Sequence, residues 1–160
     1  MLNTVLSTLK KLSIATAILM TVTVNFCFKT GFNEQDWLTW TNKCLQQSYD
    51  PSADTKLKKW ELSVTPDYFI RLRKTYAKNK QEYYSFNLRK FNDLDYSGVA
   101  TNGVIQLKAV ADDIIVQTRN DRHGDVDSMT TVLNIPVKNM EPERLDSLRE
   151  ALNYFKAKGM

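Results

Sequence analysis

Apolar and polar side chains alternate through the middle of the chain. Trp60, Leu62 and Val64 alternate with Glu61, Ser63 and Thr65. Tyr68, Ile70 and Leu72 then alternate with Phe69, Arg71 and Arg73, through Tyr76. A period of two places successive side chains on opposite faces of a strand, so these runs predict half-buried strands. Pro66-Asp67 and Lys78-Asn79-Lys80 carry turn chemistry between them. Glu82 to Lys90 alternates again, with Tyr84, Phe86 and Leu88 on one face. Short connections between three such runs predict an antiparallel meander. Further strands are predicted over Val104–Ala109, Asp113–Arg119 and Thr130–Val137, with the polar loop Asn120–Ser128 before the last.

The period changes to three and four at both ends of this region. Trp37, Leu38, Trp40, Thr41, Cys44 and Leu45 cluster at helical spacing within 33–48. Asn33 suits the cap, and Glu34 and Asp36 suit the positive end of the dipole. Two Trp on so short an element predict that it docks on another surface. At the other end, Pro142 opens a second helix, with Leu145, Leu148, Ala151, Leu152 and Phe155 on one stripe. The expected class is α+β: an antiparallel curved sheet of six or seven strands, or a barrel, with a C-terminal helix and an N-terminal docking helix. The expected organisation is 1–28 as a signal peptide or anchor, 33–48 as the docking helix, and 56–160 as the strand-rich domain.

The N-terminal segment follows a different pattern. Lys10 and Lys11 precede Leu12–Phe28, an uncharged run of 17 residues. A basic start followed by an apolar run predicts export. The run also sits at the lower limit for a transmembrane helix. Cleaved signal and retained anchor therefore both stand, with membrane association through residues 12–28 in the second case. Bulky Phe26 argues against lipidation at Cys27. The expected location is exported, either periplasmic or anchored to the membrane.

The element order and the strand-to-helix run Leu133–Leu152 resemble the pleckstrin-homology-type barrel over about Trp60 to Lys158; that barrel has seven strands where the pattern here predicts six, and the resemblance implies that Phe91–Ser97 contains the missing one. Asp36-Trp-Leu-Thr-Trp40 ahead of a strand-rich region with Tyr84-Ser-Phe-Asn-Leu88 resembles small exported bacterial proteins of unknown function. Neither resemblance implies an activity.

Composition narrows the chemistry. A chain of 160 residues is too short for a TIM barrel. Two Cys and one His leave too few ligands for a zinc site, and no phosphate-binding or hydrolase signature is present. No metal and no cofactor is expected. Asp121, Asp125 and Asp127 form the densest acidic cluster, but an EF-hand counted from Asp121 would need Glu where Val132 stands. These carboxylates, or His123, carry the alternative reading of a hydrolase; a membrane-anchored structural subunit is the other alternative.

Charge is the more informative signal. Lys56 to Lys90 holds ten Lys/Arg against three acids, whereas Phe91 to Met160 holds eight against eleven. Arg71 and Arg73 share the face opposite Ile70 and Leu72. Arg89 on the third predicted strand extends that face, Lys90 reaches it from the strand end, and Tyr83 lies among these cations. The expected function is an exported, non-catalytic binding or accessory module. Arg71, Arg73, Tyr83, Arg89 and Lys90 would form its basic site, for an unknown protein partner or an anionic ligand. Nucleic acid is not expected as a partner.

Overall fold

The computed structural model describes residues 31–159. The signal or anchor expected over 1–28, and Cys27 with it, lie outside the described residues. Among the described residues no helix is long and apolar enough to cross a membrane.

Helix α1 runs Glu34–Ser48. At its start, Asn33 Oδ1 accepts the Asp36 N–H at 2.9 Å and Asp36 Oδ2 accepts the Asn33 N–H at 3.1 Å. This reciprocal pair satisfies one donor at the helix end and the N–H of its cap residue. The compact body of the chain is Trp37–Met160. Within it, Leu38, Thr41, Cys44 and Leu45 of α1 are buried, and Trp37 stands 6.0 Å from the ring of Tyr154.

Eight strands follow, all paired antiparallel. They are β1 (Leu57–Val64), β2 (Phe69–Tyr76), β3 (Gln81–Asn87), β4 (Phe91–Val99), β5 (Asn102–Ala109), β6 (Ile114–Arg119), β7 (Asp127–Thr130) and β8 (Val132–Val137). Helix α2 (Pro142–Gly159) closes the chain. The α+β class with antiparallel strands and two flanking helices is as expected. The strand count is larger for two local reasons. Phe91–Val99 is a strand, and Asp127–Thr130, partly within the segment expected to be a polar loop, forms β7 ahead of the expected last strand, β8.

The strands form two sheets, ordered β1-β2-β3-β6-β7 and β4-β5-β8, and no closed barrel is made among the described residues. The β4–β5 hairpin belongs to the second sheet, so β3 pairs with β6 across the gap left in the first. Thr131 carries the chain from β7 into β8, while its carbonyl accepts the Ala109 N–H at 2.8 Å. The core fills with Leu62, Ile70, Leu72 and Phe86 from one sheet, and Leu94, Ile105, Leu107, Leu133 and Ile135 from the other. Leu148, Ala151, Leu152 and Phe155 of α2 are buried in the same core. Each fully buried Leu or Phe contributes about 1.5–3 kcal/mol, and their sum offsets the chain entropy lost on folding.

One contact ties α1 to the edge of the larger sheet. The Val64 N–H donates to Asn42 Oδ1 at 2.8 Å, and Asn42 Nδ2 donates to the Val64 carbonyl at 2.9 Å. A side-chain amide thus takes the place of a neighbouring strand at one point of β1, where an open edge would invite pairing with another chain.

Candidate functional site

The alternation along β2 divides its charges between the two faces of the larger sheet. Ile70, Leu72 and Lys74 turn inward and are buried, while Arg71 and Arg73 turn outward and are exposed. Register carries the outer face across all five strands. Glu61, Arg73, Tyr83, Gln117 and Asp127 lie in one cross-strand row. Thr75, Gln81 and Arg119 form the next.

Arg73, Gln81, Tyr83, Gln117 and Arg119 line an open groove of about 300 Å³ on this face. Two smaller spaces adjoin it. One of about 230 Å³ reaches Lys59 and Glu61 on β1, and one of about 220 Å³ reaches Asp125 and Asp127 beside β7. Arg73 is steadied from two sides: its guanidinium lies 5.7 Å from the Tyr83 ring centre and 3.8 Å from Glu61 Oε2. Glu61 is held below the usual carboxylate range, mainly by the Lys59 ammonium that donates to it at 2.6 Å, with Arg73 adding to the effect. Gln117 Nε2 donates to Asp127 Oδ1 at 3.3 Å. The Arg119 guanidinium has no ion pair and no hydrogen bond among the described residues. The groove is therefore cationic at its centre and balanced or acidic at its ends.

Arg73 and Tyr83, both expected from the sequence, meet in this groove. Arg71 lies one row away, with Ser85, Ile115 and Met129, and its guanidinium reaches to 3.9 Å from Asp67. Arg89 and Lys90 were expected to extend the strand, and here the structure corrects the reading. Strand β3 ends at Asn87, and Leu88–Lys90 forms a 3-10 turn. The cause is local. Asn87 Oδ1 accepts the Arg89 N–H at 2.9 Å, offering the backbone a turn in place of the ladder. The stem of Arg89 then lies against the end of α2, where a Cβ on Gly159 would come within 2.7 Å of Arg89 Cγ. Gln81, Gln117 and Arg119 were not expected at the site. Alternation does put Gln117 and Arg119 on one face of β6, but nothing local says that this face adjoins β3.

The inward face carries a second polar cluster at the same end of the sheet. Lys74, only 7% exposed, places Nζ 2.7 Å from Asp54 Oδ2. Tyr49 and Tyr76 direct their hydroxyls at Asp54 at 3.3 and 3.4 Å. Tyr76 and Tyr84 direct theirs at Glu82 Oε2 at 3.0 and 3.3 Å. Lys80 spans Glu82 at 3.1 Å and Asp121 at 2.8 Å. Burial, followed by the Glu82 charge, pushes the Tyr84 phenol up to about 12, and burial also raises Tyr49 and Tyr76. Each charge in this cluster faces an opposite charge or a hydroxyl, so it acts as a clamp between the Asp54 turn, β2, β3 and the loop after β6.

The loop groups proposed for hydrolysis are engaged in shaping that loop. Asp121 Oδ1 accepts the His123 N–H at 2.9 Å, and this bond with Lys80 lowers the Asp121 carboxyl. Asp125 Oδ1 accepts the Asp121 N–H at 3.0 Å. His123 itself is exposed. Cys44 is buried, and loss of solvent pushes its thiol up, away from a reactive thiolate. Among the described residues no group of three side chains suited to metal binding is present. No protein-family model matches the chain, and neither a curated protein nor a solved structure matches it.

Proposed function

We propose that this chain is an exported, non-catalytic binding module that holds an anionic ligand on the outer face of its five-stranded sheet. Arg73 and Arg119 are the binding cations, with Gln81, Tyr83 and Gln117 shaping the groove. The observation that carries the reading is the free guanidinium of Arg119 in a groove it shares with a steadied Arg73. Guanidinium groups grip carboxylate or phosphate through paired, charge-assisted hydrogen bonds. Lys74 and Lys80 already have acid partners, and Arg71 lies near one, whereas Arg119 offers all its donors. The basic start and the uncharged run over 12–28 support export.

Two measurements test this reading. Titration with inorganic phosphate, a hexaglutamate peptide and an acidic oligosaccharide, followed by NMR of the Gln81 and Gln117 side-chain amides, should show salt-dependent binding of at least one of them. Arg73→Gln with Arg119→Gln should abolish it, and Arg71→Gln should leave most of it. Indifference of the groove to every anion, or binding unchanged in the double variant, overturns the assignment. The mass of the N-terminus after expression in a secreting host tests export separately.

A further inference from the structure

Resting on that reading, we infer that the ligand is an acidic oligosaccharide. It would lie across the strands, with one carboxylate between Arg73 and Arg119 and uncharged sugar units on either side. Three features of the groove support this choice of class.

The first is extent. The central space and its two neighbours share Arg73 and Gln81 on one side, and Gln117 and Arg119 on the other. They run from β1 to β7, across four inter-strand gaps of about 4.8 Å, or roughly 19 Å. A single ion or a free monosaccharide leaves most of that length empty, whereas a chain of several units fills it.

The second is lining. The groove is lined mostly by guanidinium, amide and carboxylate ends, planar groups that each present two or more donors or acceptors in one plane, with the Tyr83 ring at its centre and the exposed Val126 at its β7 end. Neighbouring hydroxyls on a sugar ring match such ends pairwise. The exposed Ile115 and Met129 stand in the adjoining row, outside the central groove. An acyl chain or an apolar peptide anchor has no pocket here to fill. An extended peptide gains affinity chiefly by adding to a sheet edge, where main-chain groups are free. Along β2, β3 and β6, which form the groove floor, those groups are spent in the ladder on both sides. A ligand on this face therefore meets side chains alone.

The third is the charge profile. Cations stand at the centre, a Lys59–Glu61 pair lies at one end, and Asp125 with Asp127 at the other. A chain charged at every unit, such as a nucleic acid or polyphosphate, would bring like charge against Asp125 and Asp127. A chain whose acidic unit is flanked by neutral units places its hydroxyls there instead.

The test compares probes on the full chain by calorimetry, with the Gln81 and Gln117 amides read by NMR. A hyaluronan hexasaccharide, whose acidic units alternate with neutral ones, should bind. Its carboxyl-reduced form and Arg119→Gln should each weaken binding about tenfold or more, the loss expected for one charge-assisted grip, and free glucuronic acid, which keeps the carboxylate but lacks the flanking units, should also bind about tenfold more weakly. Oligogalacturonate, charged at every unit, should bind more weakly than the alternating chain. Should hexaglutamate or inorganic phosphate bind as tightly as the hexasaccharide, and through Arg119, the oligosaccharide inference falls while the anion site stands. Equal binding of glucuronic acid and the hexasaccharide also removes the chain. If no anion binds at all, both readings fall together.

Discussion

Arg73 and Lys74 are neighbours in sequence and opposites in circumstance. Arg73 faces solvent across an open groove, near a shared acid and an aromatic ring. Lys74 faces inward, almost fully buried, and is bonded to Asp54 at 2.7 Å. The same contrast repeats one strand over, where Tyr83 belongs to the groove and Tyr84 donates to the buried end of Glu82. Two charged clusters thus share β2 and β3, back to back. The inner one is matched, each ion paired within the protein even though a space of about 370 Å³ lined by Asp54, Tyr76, Lys80 and Glu82 opens onto it, so its energy goes into holding the fold. The outer one is open, with one guanidinium unmatched, so its energy remains available to a ligand. A count of basic residues over these strands treats both clusters alike. Solvent and partner geometry separate them, because a cation removed from water must be paired while an exposed one need not be.

The contrast is broken most severely from the inside. Asp54→Ala removes the one ion pair that the buried Lys74 makes among the described residues. The expected loss of stability is about 2–4 kcal/mol, somewhat under that for a wholly buried pair because Asp54 keeps some exposure. Urea unfolding measures it. A loss below about 1 kcal/mol would mean that water solvates Lys74 and that its pairing with Asp54 does not hold the fold.

Alkaline pH attacks the same cluster through its phenols. The folded state holds Tyr84 up to about 12 against an ordinary 10, so it favours the neutral form. That contribution is complete below the unfolded value and is lost as pH rises through the folded one. Unfolding should therefore set in between pH 10 and about 12. Absorbance of tyrosinate should show the exposed phenols titrating first, and the remainder together with the loss of near-ultraviolet circular dichroism. Tyrosines that all titrate near 10 in a still-folded protein would place these hydroxyls in water.

A milder cut is Glu82→Gln. The amide oxygen still accepts from Tyr76 and Tyr84, and Lys80 keeps Asp121. The expected cost is about 1 kcal/mol by the same denaturation measurement. The Tyr84 phenol should then titrate lower, because one of the causes that raises it has gone.

Smallest of all should be the effect of Arg73→Gln with Arg119→Gln on stability, within about 0.5 kcal/mol, since both side chains lie on the solvent face. If this double variant unfolds like Asp54→Ala, the outer cluster is structural and the contrast between the two faces disappears.

Much of the inner and outer assignment was legible along the chain. Ile70 and Leu72 against Arg71 and Arg73 is a period of two, and the helix stripe Leu148, Ala151, Leu152 and Phe155 is a period near 3.6. Lys74 shares the Leu72 face by the same rule, so its burial follows from the pattern even though its charge argues for the surface. Arg89 and Lys90 mark where the rule stops, because Asn87 turns its own backbone out of the strand.

What the sequence by itself determined is both helices, most of the strands and the face on which their side chains stand, because these follow from local sterics and from spacing along one strand or helix, whereas β7 and the turn at Leu88–Lys90 do not. Only the tertiary structure decided that β6 joins β3, with β4 and β5 given over to a second sheet. That pairing sets Arg119 opposite Gln81 and completes the groove, and it brings Asp121 to Lys80. Its physical reason is not local. Closing so long a loop costs entropy that no short motif repays, and the pairing is held by two sheets burying their apolar faces on a common core.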